Sequence, residues 1–182
     1  MGWTAEQKHT SREKIISSAA KLFTKQGFDN VAINDVMKHA GLTRGAFYNH
    51  FNSKSELYAE AIVSAAKLAQ RHTLEHSGFK LADIIETYLS DQHRQGEFSC
   101  PLAFLTTDIH QRDDNVREAY TRVLKGFINN IYDFNEDGKA LSEQEAIKKA
   151  VLMIGGIAIS RAVNEDGFAE RILNACREGV NT

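Results

Sequence analysis

Arg44, Gly45, Tyr48 and Asn49 stand at i, i+1, i+4 and i+5, so a helix through them turns all four to one face. With Thr43 and His50 beside them, that face carries the side-chain types that read a DNA major groove. Arginine reads guanine through two hydrogen bonds, asparagine reads adenine, and threonine, tyrosine and histidine reach phosphates. Gly45 keeps the backbone low enough for close approach, while Phe47 and Phe51, four apart, turn inward with Met37 and Leu42. The same spacing also serves an ordinary helical hairpin with a polar solvent face.

Cys100 directly precedes Pro101, the only proline, which suits a first helical position. Unpaired N–H groups and the helix dipole favour a thiolate there, making Cys100 the more reactive of the two cysteines; the other reading is an inert, half-buried thiol. His72 and His76 share a helix face at i, i+4, but no third metal ligand is evident. Residues 133–144, DFNEDGKALSEQ, imitate a calcium loop with Gln144 where a bidentate Glu is needed, so a polar interhelix loop is expected. No metal and no cofactor are therefore expected. Hydrolase, kinase and dinucleotide signatures are absent, and nothing nominates a nucleophile with its base, so the chain is not read as an enzyme.

Composition narrows the scaffold that must hold these groups. The 182 residues carry 22 basic and 24 acidic side chains and are 42% apolar, in the range of globular domains. Two cysteines make no disulfide framework and point to a reducing, cytoplasmic setting. No signal-peptide core is present, and the longest apolar run, residues 150–159, is too short to span a bilayer, so no membrane is expected. Residues 1–58 carry eight Lys/Arg against five Asp/Glu, whereas the remainder is net acidic. A basic head on an acidic body suits a polyanionic partner.

Apolar residues repeat at helical spacing nearly throughout, which predicts an all-α chain of about nine helices. A first helix is expected from a Thr10/Glu13 capping box to Gly27, a second on Ile33, Val36, Met37 and Ala40, and a third from Thr43 to about His50. Ser53/Glu56 opens a long fourth helix, residues 80–94 form a fifth, and a short helical segment runs from Pro101 to about His110. Helices starting at Asp113-Asp114 and at the Ser142/Glu145 box follow, with a last one from Phe168 to about Glu178.

The stretch SREKIISSAAKLFTKQGF followed by FDNVAINDVMKHAGLTRGAFYNHFNSKSELY resembles the DNA-binding region of the TetR family of transcriptional regulators. The likeness runs through Gly27-Phe28, Ile33, Asp35-Val36, Ala40-Gly41, Thr43-Arg44-Gly45, Phe47 to Phe51 and Ser53 to Leu57. It implies a three-helix helix-turn-helix domain over residues 1–53 and a helical ligand-binding and dimerisation body over 54–182. By resemblance, Thr43, Arg44, Gly45, Tyr48, Asn49 and His50 face DNA, and Lys54 neutralises a phosphate. One departure is Val31-Ala32, where the family carries a Ser/Thr pair, so Asn30 is the expected cap of the second helix.

The resemblance further implies a homodimeric repressor that binds a near-palindromic double-stranded operator and releases it on binding a small-molecule inducer. An alternative is a sensor switched by modification of Cys100. Tyr88, Leu89, Cys100, Phe104, Tyr120, Leu124, Phe127 and Met153 are the candidate pocket, because aromatic and methionine walls suit apolar ligands; core packing is the competing role for each. The last two helices resemble the family's dimer seam. Gly155 and Gly156 let backbones approach, while Leu152, Ile159, Ile172 and Leu173 supply apolar area, so bulk at Gly156 is expected to dissociate the subunits. The alternative places this helix at the centre of one protomer's core.

Overall fold

The computed structural model describes residues 4–77, 80–96, 100–133, 135–136 and 139–181. Local capping chemistry sets where its helices begin. α1, Ala5–Gln26, starts at Thr4, whose hydroxyl accepts from the Gln7 N–H while the Gln7 amide accepts from the Thr4 N–H. The Thr10/Glu13 pair therefore lies inside the helix: both patterns were available, and the earlier one adds a further turn of backbone bonds. α1 closes at Gly27 (φ 78°), and Gly41 (φ 69°) makes the second tight turn; both conformations favour glycine.

α2, Ile33–His39, has no side-chain cap from Asn30, whose amide instead donates to the Gln26 carbonyl at 3.0 Å. The Asp35 carboxylate reaches back to the Ala32 N–H at 2.9 Å, which compensates for the missing Ser/Thr. α3, Arg44–Phe47, ends earlier than the expected His50, and the Thr43 hydroxyl makes no cap bond. α4, Lys54–His76, opens on Ser53 as expected, but Glu56 accepts from the Asn52 N–H rather than completing a reciprocal box.

The expected fifth helix is broken. α5, Leu81–Tyr88, stops where Ser90 donates to the Thr87 carbonyl and accepts from the His93 N–H, starting α6, Asp91–Gln95. The segment after Cys100 likewise divides into α7, Pro101–Phe104, and α8, Thr106–Ile109, at Leu105. α9 is Asp114–Tyr132, α10 Glu143–Ala162 and α11 Asp166–Asn181. These two breaks raise the count to eleven among the described residues. Between α9 and α10, β1 (Asn135–Glu136) pairs antiparallel with β2 (Lys139–Ala140), a two-residue pairing where a loop was expected. Positions 134, 137 and 138 of the calcium-like stretch lie outside the described residues.

Two cores hold the helices. The first joins Ile15, Phe23, Val36, Met37, Phe47, Phe51, Leu57, Tyr58 and Ile62 to Leu105, Ile109, Val116 and Ala119, so α4 carries head packing into the body. Burying each large side chain contributes about 1.5–3 kcal/mol. The second is built on Ile85, Leu89, Leu102, Met153, Ile157 and Leu173. Among the described residues, no helix is long and apolar enough to cross a membrane.

Candidate functional site

The polar row around α3 is presented by a buried scaffold. Ala46, Phe47 and Phe51 are buried and lock α3 against α2, which leaves Thr43, Arg44, Gly45, Tyr48 and Asn49 exposed. Tyr48 stands 60% exposed, an aromatic with no core role. A Cβ at Gly45 would meet nothing within 4 Å, so packing does not demand glycine there.

His50 and Lys54 also make contacts within the protein. A His50 ring nitrogen, Nε2, lies 3.0 Å from the Ser11 hydroxyl, tying the end of the recognition segment to α1. Burial, and then Lys8 and Arg12, hold its pKa below the usual range. Lys54 donates to the Phe28 carbonyl at 2.5 Å and lies 4.1 Å over the Phe28 ring, closing the α1–α2 turn. A second histidine–serine contact, His39 Nδ1 to the Ser18 hydroxyl at 2.9 Å, fixes α2 to α1. Both contacts escaped sequence reasoning. The available signal was Ser11 and Ser18, polar residues seven apart on the face that carries Ile15.

Head and body meet in a charged joint. Arg112 donates to Asp29 at 2.7 and 3.1 Å and to Asp108, and its guanidinium lies 4.5 Å over Phe28. Tyr58 donates to Asp108 at 2.7 Å, and Ser55 donates to Asp113. The Arg112 bond holds the Asp29 carboxyl below its usual range, while burial pushes the Tyr58 phenol up.

A cavity of about 680 Å³ opens between α4, α5, α7, α9 and α10. Of the expected set, Tyr88, Cys100, Phe127 and Met153 line it. Leu89, Phe104, Tyr120 and Leu124 do not. Leu89 is fully buried beneath α10, Phe104 packs under the Arg161 guanidinium at 3.8 Å, the Tyr120 hydroxyl donates to the Leu102 carbonyl at 2.9 Å, and Leu124 packs into the second core. Val63, Lys67, Gln70 and Leu74 supply the α4 wall that sequence reasoning missed.

Burial, with a small further push from His72, holds the lining residue His93 down to about 4. With the folded pKa below the unfolded value of 6.5, the unfolded chain binds the proton first, so stability is full above that value and falls as pH drops toward 4. About 2 kcal/mol is expected to be lost between pH 6.5 and 5. Urea melts at the two pH values measure it, and His93→Leu should flatten the slope. An unchanged slope in that variant would assign the proton to another group.

Cys100 corrects the thiolate expectation. It is only 5% exposed, and burial pushes its thiol up, outweighing bonds from the short α7 backbone and Tyr88 that pull it down. The thiol-switch alternative loses its physical basis, since thiolate and access are both required. Cys176 is half-buried, also with a raised pKa from burial. A maleimide is therefore expected to label Cys176 first. Faster labelling of Cys100 in Cys176→Ser than of Cys176 in Cys100→Ser would contradict this burial order.

His72 and His76 stack at 4.1 Å, with His76 Nδ1 donating to the His72 carbonyl, an arrangement unlike shared chelation. Among the described residues, no group of three or more His, Cys, Asp or Glu could hold a metal ion.

On the last two helices the expected seam residues separate. Val151 (63% exposed) and Ile159 (58% exposed) face out with Ile147, and a Cβ at Gly155 would meet open space. Leu152 and Ile172 are half-buried. Gly156 and Leu173 face into the protomer: a Cβ at Gly156 would lie 2.9 Å from Cys176 Sγ and 3.0 Å from Leu89. α10 is apolar on several faces, so spacing alone could not choose between them.

Residues 15–61 match the N-terminal model of bacterial regulatory proteins, tetR family. An uncharacterized HTH-type transcriptional regulator from the lacX 3' region of Lactococcus lactis subsp. lactis is 27% identical over 117 residues, 59% of this chain and 59% of that protein. The match thus spans less than two thirds of that relative's length. The HTH-type transcriptional regulator LmrA of Bacillus subtilis (strain 168) is 27% identical over 165 residues, 82% of this chain and 86% of that protein. A transcriptional regulator of the TetR family from Cytophaga hutchinsonii shares the fold at TM-score 0.79 and 16% identity, covering 100% of this chain and 97% of that one.

Proposed function

We propose, from the match of residues 15–61 to the tetR family of bacterial regulatory proteins, that the chain is a cytoplasmic, homodimeric, non-enzymatic repressor of transcription of that family. Residues 1–53 bind a near-palindromic double-stranded operator, and residues 54–182 dimerise and bind a small-molecule inducer that releases it. The observation that carries the reading is the exposed row Thr43, Arg44, Gly45, Tyr48 and Asn49 on a wholly packed support. Arg44 and Asn49 read base edges; Thr43 and Tyr48 hold phosphates. The outward apolar stripes of α10 (Ile147, Val151, Ile159) and α11 (Phe168, Ile172) support pairing with a second copy. Two recognition segments then read half-sites about 34–36 Å apart, or a multiple.

Gel shifts on the DNA upstream of the protein's own gene test this. Arg44→Ala is expected to lose specific affinity by about 1–3 kcal/mol with thermal stability unchanged. Unaltered affinity for that DNA would remove Arg44 from the interface, and no binding by the wild type would overturn the repressor reading for that site.

A further inference from the structure

We propose that the body cavity takes an uncharged, largely apolar molecule whose buried end carries a hydroxyl, a phenol being the simplest case, recognised by Tyr88 and His93. This rests on the reading of the cavity as the inducer site and adds the chemistry of the inducer. The wall is mainly aliphatic and aromatic, with Leu81, Ile84, Phe127 and Met153 among its residues. Its charged residues, Lys67, Arg122 and Asp133, are all exposed. A charge carried inward would therefore meet no countercharge, and burying one uncompensated is costly.

Tyr88 and His93 break the apolar pattern. Both line the cavity with rings 4.5 Å apart, and the Tyr88 hydroxyl and His93 Nε2 are buried with no nitrogen or oxygen partner among the described residues. Beside the Tyr88 hydroxyl lies the Cys100 thiol, a weak partner. Buried polar atoms left unpaired in this way are uncommon and carry a desolvation cost that a ligand can relieve. A hydroxyl both donates and accepts, so it accepts from Tyr88 and pairs with either tautomer of a neutral imidazole. A hydrocarbon relieves neither atom, and a carboxylate brings a charge.

Titration calorimetry of the full chain with 4-hexylphenol, hexylbenzene and 4-hexylbenzoate at neutral pH decides the matter. In a purely apolar cavity hexylbenzene binds best, because desolvation of the phenol hydroxyl goes unrepaid. Here 4-hexylphenol is expected to bind about tenfold tighter than hexylbenzene and the benzoate weakest. Tyr88→Phe keeps the ring and should erase the phenol's advantage while leaving hexylbenzene binding unchanged; His93→Leu should reduce that advantage. The proposal is overturned if hexylbenzene matches the phenol, if the benzoate binds tightest, or if the phenol keeps its advantage in a protein carrying both Tyr88→Phe and His93→Leu. DNA affinity with and without 4-hexylphenol is measured separately. Phenol binding that leaves DNA affinity unchanged upholds the ligand chemistry and removes the inducer role.

Discussion

Gly156→Leu is expected to destabilise the protomer rather than dissociate a dimer. The position faces inward, with Cys176 Sγ at 2.9 Å and Leu89 at 3.0 Å from where a Cβ would sit. Four added carbons have no space between α10 and α11 unless the helices separate. Overpacking of this kind costs about 1–3 kcal/mol and sometimes more, and a full leucine belongs at the upper end. For a chain of this length that lowers Tm by roughly 6–12 °C. Cys176→Ala in the same chain should recover some of the loss by removing the nearest atom. Gly155→Leu is the control, since its side chain enters open space; it should leave the monomer's packing intact and act only on association. A Gly156→Leu protein that keeps its Tm but sediments as a monomer would return this position to the dimer seam.

Arg112→Ala is expected to loosen the head from the body. The Arg112 side chain is only 12% exposed, and it is shared by Asp29 at the α1–α2 turn and Asp108 on α8. Removing it strands the partly buried Asp108, which then keeps only the Tyr58 hydroxyl among the contacts described above. Breaking a buried pair from one side costs about 3–5 kcal/mol, and the exposure of Asp29 reduces this, so about 2–4 kcal/mol is expected. Denaturant melts give the loss directly. Hydrogen exchange separates the two halves: amides of α1 to α3 should exchange faster while those of α10 and α11 hardly change. Equal acceleration throughout would mean that Arg112 supports the whole fold and not the joint. Arg112→Lys should restore only a fraction, because an ammonium cannot span both carboxylates and the Phe28 ring in the guanidinium's geometry.

Much of the architecture was legible because its causes are local. Apolar residues at helical spacing mark α1, α4 and α9, and the Ser142/Glu145 box opens α10 where expected. Pro101 stands at a first helical position as its missing N–H and fixed φ require. Competing local signals produced the errors. Thr4/Gln7 displaced Thr10/Glu13, and the Ser90 hydroxyl turned one expected helix into two. Cys100 shows the limit most plainly, since a helix start favours the thiolate by proximity, whereas burial is set by α5 and α10 packing around it.

The row Thr43, Arg44, Gly45, Tyr48 and Asn49 was determined by the sequence alone: helical spacing and four inward apolar residues leave those side chains no other face. Tertiary structure alone decided which partner each remaining group met. Asp29 and Arg112 lie 83 residues apart, and no periodicity connects them. His50 and Ser11, 39 apart, meet only in the folded chain, where the contact braces the segment after α3 against α1. α10 offers apolar or small side chains in several directions, so only the position of α11 and Leu89 makes Gly156 interior and Gly155 exterior. Spacing along a chain chooses the face of a helix when one face is polar. When no face is, the choice belongs to whatever packs against it.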